Sequence, residues 1–82
     1  MIITVGAELS NGRSGVEARV PALQMASRGT DHQDAIETLT NGIAAWCRGL
    51  MLIGELDVAL KRRHIQWEPD GNDITVVILD GE

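Results

Sequence analysis

Residues Thr30 to Ile53 read TDHQDAIETLTNGIAAWCRGLMLI, and this stretch decides the fold. Its apolar residues Ala35, Ile36, Leu39, Ile43, Trp46, Cys47, Leu50 and Ile53 recur at intervals of three and four. That period predicts an amphipathic helix of roughly five to six turns. Thr30 and Asp31 are both good N-cap residues, and Thr30-x-x-Gln33 has capping-box spacing. Asp31 and Asp34 fall in the first turn and Arg48 near the far end, as the helix dipole favours. Gly42 and Gly49 lie two turns apart, which predicts the close approach of a neighbouring backbone. Gly54 stops the helix.

Upstream the period is two, not 3.6. Ile2 to Leu9 predicts a strand with Ile3, Val5, Ala7 and Leu9 on one face. SNGRSG (10–15) predicts a tight turn, with Asn11-Gly12 supplying positive φ. Val16, Ala18 and Val20 alternate with Glu17 and Arg19, which predicts a half-buried strand paired back onto the first. Pro21 ends it. A short third strand is expected around Gln24 to Arg28.

Downstream, Glu55 to Arg63 predicts a second helix with Leu56, Ala59 and Leu60 inward and a basic end, Lys61 to His64. A strand over Ile65 to Glu68 follows, then a turn at Pro69 to Asp73. The last strand, ITVVIL (74–79), is apolar on both faces. It is therefore expected in the sheet's middle or at a subunit contact. Thr75, Val77 and Leu79 would face a second subunit or the second helix and Ile74, Val76 and Ile78 the main helix, or the reverse, since one sequence does not distinguish the two sets. Trp67, like Trp46, is expected as a core or interface anchor. The order β-β-β-α-α-β-β defines an α+β fold, an antiparallel-rich sheet with helices packed on one face.

Eighty-two residues make one domain with a small core. Seven Lys and Arg against 12 Asp and Glu give a formal net charge of −5, which argues against a broad phosphate-binding surface. Two Trp, no Phe and no Tyr cannot build a base-stacking platform. Direct nucleic-acid binding is therefore not expected. A single cysteine excludes an internal disulfide and a multi-Cys zinc site, and fits a reducing cytoplasm. No apolar stretch is long enough to span a membrane, and the N-terminus lacks the pattern of a signal peptide.

Catalytic and cofactor motifs are not found. His32 and His64 lack metal-ligand spacing and fit solvated surface positions. Cys47 falls on the apolar helix face, where a thiol acts as a small core hydrophobe. The glycines form neither a dinucleotide nor a P-loop fingerprint. Lys61 to Arg63 could touch phosphate, but such a run more often complements a helix dipole. The expectation is no enzyme, no metal and no cofactor.

Val20-Pro21-Ala22-Leu23, Arg28-Gly29-Thr30-Asp31 and Asp34-Ala35-Ile36-Glu37-Thr38-Leu39 together resemble the HicB-like antitoxin core. Gly54-Glu55-Leu56, Leu60 and Ile65-Gln66-Trp67 add to the likeness. That family has a strand ending in a P-x-L-P-G corner, a short strand, and a G-D-T triplet opening the main helix. Here Gln24 and Met25 stand at the second Pro and Gly, and the triplet reads Gly29-Thr30-Asp31, an exchange that keeps the capping chemistry. The resemblance implies a partial RNase H-like core that neutralises a small basic ribonuclease toxin and forms homo-oligomers. Because the last strand is followed at once by Glu82, no separate DNA-binding segment is expected. Thr75, Val77, Leu79 and Trp67 are the expected oligomer interface. The alternatives are a structural or small-ligand-binding homo-oligomer without a toxin partner, or a small enzyme using His32, His64 or Cys47.

Overall fold

Val16, Ala18 and Val20 are buried while Arg19 between them is exposed, so period-two alternation sets the strand that they occupy. The computed structural model describes residues 1–71 and 73–81. It has eight elements: β1 (Ile2–Gly12), β2 (Gly15–Val20), a 3-10 turn (Pro21–Leu23), β3 (Met25–Gly29), α1 (His32–Leu52), α2 (Leu56–Arg62), β4 (Gln66–Glu68) and β5 (Thr75–Gly81). The fold is α+β, with the helices packed on the sheet. Among the described residues no helix is long and apolar enough to cross a membrane.

Strand β1 organises the sheet. It pairs antiparallel with β2 through Glu8 to Gly12, antiparallel with β4 through Ile2 to Thr4, and parallel with β5 through Ile2 to Glu8. A strand has two edges, and Glu8 pairs with both Arg19 and Gly81. Hence β2 and β5 lie on opposite edges of β1. Ile2 to Thr4 pair with both β4 and β5, so β4 lies opposite β5 as well. Strands β2 and β4 therefore follow one another along one edge, and β5 alone occupies the other. Pro21 sets this division: it turns the chain out of β2 after Val20 and leaves the first residues of β1 open for β4.

The turn between β1 and β2 differs from the sequence expectation. Asn11 and Gly12 are paired with Val16 and Gly15, so the two loop residues are Arg13 and Ser14. Positive φ is used at Gly15 (138°) rather than at Gly12. A Cβ on Gly15 would overlap the Gly29 carbonyl, and one on Gly29 would overlap the backbone of Asp34 and Ala35. The sheet and the start of α1 touch backbone to backbone here, whereas Gly42 and Gly49 were expected to provide that contact. A Cβ at Gly42 would meet only the Met25 side chain, at 3.7 Å, and one at Gly49 nothing within 4 Å.

Helix α1 starts one residue later than its Thr30-Gln33 spacing suggested. Asp31 is the N-cap, and its Oδ1 accepts the Asp34 N–H at 2.8 Å. Asp34 Oδ2 in turn accepts the Thr30 N–H at 2.9 Å. Asp34, at N3, thus returns its bond to the residue before the N-cap, a variant of the capping box, in which the N3 side chain would reach the N–H of the N-cap itself. The helix ends in a Schellman motif at Gly54: its N–H donates to the Met51 carbonyl and that of Glu55 to the Leu50 carbonyl. Ala35, Leu39, Ile43 and Cys47 are buried and pack on the sheet with Ile3, Val5, Ala7, Val16, Ala18 and Val20. Ser27 Oγ donates to the Ala35 carbonyl at 2.7 Å and ties β3 to the helix. Helix α2 buries Leu56 and Leu60.

Two expectations about apolar residues are corrected. Ile53 was placed on the inward stripe of α1, yet it is the C-cap and is exposed. Strand β5 does not lie in the sheet's middle, the first of the two places expected for it: among the described residues it pairs with β1 alone. Ile74, Val76 and Ile78 pack against the core, but Thr75, Val77 and Leu79 are exposed. The parallel pairing of β5 also qualifies the antiparallel sheet. Gly71 takes a φ of 60°, as the Pro69–Asp73 turn requires; Asn72 in that turn lies outside the described residues.

Candidate functional site

The helices cover one face of the sheet. On the other, register places Ile2 beside Thr75, Thr4 beside Val77 and Gly6 beside Leu79. Partners opposite one another in neighbouring strands share a face, so these six residues form one apolar area. Further along the same face the character changes. Glu17 receives Arg19 at 3.2 Å and Arg28 at 3.9 Å, and these exposed pairs mark a solvated surface.

The apolar area borders the free edge of β5. Hydrogen bonds fix the strand there: Thr75 N–H donates to the Met1 carbonyl at 2.8 Å, and the Met1 amino group donates to the carbonyls of Asp70 and Asp73, each at 2.6 Å. Thr75 to Leu79 carries no Pro, Lys or other charge, the devices that usually blunt an edge strand; the only charge in the sequence of β5 is Asp80, at its far end. Behind the start of β5, a shallow depression joins Met51 and Leu52 of α1 to Ile74 and Thr75, with Arg48 and Asp73 at its rim. Among the described residues seven large apolar side chains are exposed: Met51, Leu52, Ile53, Val58, Trp67, Val77 and Leu79. Four of them border β5: Val77 and Leu79 on its open face, and Met51 and Leu52 beside its first residue, Thr75. Leu52 is 88 % exposed and Leu79 57 %.

Three of the four expected interface residues are thus together, and one is not. Trp67 pairs with Ile3, so it lies on the helix-covered side of the sheet, in β4, across β1 from β5. Sequence reasoning also passed over Met51 and Leu52. The signal was present: Leu50 to Ile53 are four consecutive apolar residues. Successive helix positions are about 100° apart, so one buried stripe cannot hold all four.

The candidate catalytic residues stay apart in environment. Cys47 is fully buried, and burial pushes its thiol up to about 11, partly offset by Arg48. His32 is exposed, its Nε2 3.3 Å from Asn11 Oδ1. His64 is exposed just beyond α2, with a φ of 56°. Among the described residues no group of three or more His, Cys, Asp or Glu could hold a metal ion. Comparison with protein-family models, curated proteins and solved structures returns no match.

Proposed function

We propose that the chain is a protein-binding module of the cytoplasm that works through the free edge of β5. The observation that carries this reading is the concentration of exposed apolar side chains along a strand edge that is free of charge from Thr75 to Leu79. Such an edge offers unpaired backbone donors and acceptors to an incoming strand, and the apolar flanks add burial. The class of partner is a small basic protein, a ribonuclease toxin of the kind the HicB-like resemblance implies. Three features support this. The local order matches that resemblance: β2 ends at a Pro21 corner, β3 is short, and a capped helix opens after Gly29. The net charge of −5 complements a basic partner and speeds encounter. The same edge also accommodates a second copy of the chain, which keeps homo-oligomerisation within the reading.

Co-expression with the product of the neighbouring reading frame, which the reading predicts to be a small basic protein, tests it. Co-elution as one complex, lost in Leu79→Asp, is the expected result. Separate elution of two monomers contradicts the reading.

A further inference from the structure

Across β1 from β5, the chain gathers its cations. Lys61, Arg62, Arg63 and His64 run consecutively from the last turn of α2, and all four are exposed. They include three of the seven Lys and Arg in an otherwise acidic chain. Both salt bridges among the described residues fall on Glu17, so none of these three is paired there. A helix dipole favours cations in its last turn whatever their direction around the axis, which covers Lys61 and Arg62; Arg63 is the C-cap and His64 lies beyond it.

Aromatic rings accompany the charges. The Arg63 guanidinium lies over the Trp46 ring, 5.4 Å from its centroid. Trp67, three residues beyond His64, is 38 % exposed and stands outside the core.

The backbone at His64 adds an independent observation. The N–H of His64 donates to the Lys61 carbonyl and that of Ile65 to the Leu60 carbonyl, which is a Schellman motif. The same motif closes α1, where the left-handed residue is Gly54, with φ 71°. At α2 that position carries a side chain at φ 56°, a conformation that favours glycine. Gln24, which closes the 3-10 turn, takes the same conformation (φ 55°), so what distinguishes His64 is that its side chain is exposed at the end of the basic run.

We infer that this corner binds a short stretch of single-stranded nucleic acid, with Lys61, Arg62 and His64 against phosphates and Trp67 offering a ring to a base. The patch is small and offers one ring, so the chain still has neither a broad phosphate-binding surface nor a stacking platform; the inference departs from the sequence expectation of no direct nucleic-acid binding only for this local contact. Binding by the two fixed cations Lys61 and Arg62 gives a log–log salt slope of about −1.4 for a single strand. The site is independent of the β5 edge.

Fluorescence anisotropy of a short labelled oligouridine, titrated with the full chain at low and moderate salt, tests the inference. Saturable binding with that slope is expected. The Lys61→Glu/Arg62→Glu double variant weakens it at least about tenfold, and Trp67→Ala weakens it severalfold. His64→Gly raises the melting temperature while it weakens binding, a combination that loss of fold cannot produce. Val77→Asp leaves binding unchanged. Absence of saturable binding at low salt overturns the inference. So does displacement by polyglutamate as effective, at equal charge, as displacement by unlabelled oligouridine, because an acidic polypeptide is then the ligand. Unchanged affinity in His64→Gly and in the double variant overturns it too.

Discussion

Thr4 and Val77 are register partners in the parallel pair β1–β5, on the sheet face that no helix covers. Val77 is 37 % exposed, and Leu79, one step along, pairs with Gly6, which offers no side chain to cover it. An aspartate at position 77 or 79 therefore meets water in the isolated chain and a dry contact in a complex. Val77→Asp is expected to change stability by no more than roughly 0.5–1 kcal/mol, as surface substitutions do. It abolishes association, which light scattering beside thermal unfolding separates. Unfolding of the variant would instead make this face part of the core.

The reciprocal capping bonds predict a coupled pair. Asp31→Ala removes the acceptor for the Asp34 N–H and costs about 1 kcal/mol. Asp34→Ala leaves the Thr30 N–H without its carboxylate and costs somewhat less. Since the two act in one unit, the double variant loses less than the sum of the single ones. Urea titrations of the three proteins measure this, and strict additivity would show that the caps act separately.

The glycines divide by backbone surroundings. Gly49→Ala meets nothing within 4 Å on a helix, so it gains about 0.5–1 kcal/mol. Gly29→Ala places a methyl group into the backbone of Asp34 and Ala35 and forces the two layers apart, at roughly 1–3 kcal/mol or more. Opposite shifts of melting temperature are expected, and shifts of the same sign would refute the layer contact.

Cys47 gives the fold a pH limit. Its thiol is raised from 9.0 to about 11 by burial in the core. Between those values the unfolded chain has released the proton and the folded one keeps it, so the folded state binds more protons. Stability is thus complete below about pH 9, falls as pH rises, and levels off above about 11. Cys47→Ala flattens this part of the stability–pH curve although it lowers stability at neutral pH. A slope that persists in the variant would assign the effect to other groups.

What the sequence discloses follows from the range of the interactions. The stripe Ala35, Leu39, Ile43, Cys47 and the alternation Val16, Ala18, Val20 are local periods enforced by one core, so both are legible. The positioning of β5 is not. Nothing in ITVVIL says that its partner is β1, in parallel, because that pairing is non-local and forms through backbone groups. Both faces of the strand are apolar, which suggested double burial, but one apolar face remains open. Trp67 was misplaced for the same reason: alternation with Ile65 fixes its face, but only the register with Ile3 shows that this is the helix side, opposite to Val77. The turn moved from Asn11-Gly12 to Arg13-Ser14 because Gly15 must pass close to Gly29, a constraint set by β3 and α1.

Hydrogen exchange at β5 tests the docking edge most directly. Amides of Thr75 to Leu79 should be measured at low micromolar and at several hundred micromolar protein, and again with the small basic partner. The account predicts that the outward-pointing amides of β5 gain protection with concentration or partner, while the β3 edge, Met25 to Gly29, does not change. Exchange at β5 that is indifferent to both, or protection that appears at β3 instead, would contradict it.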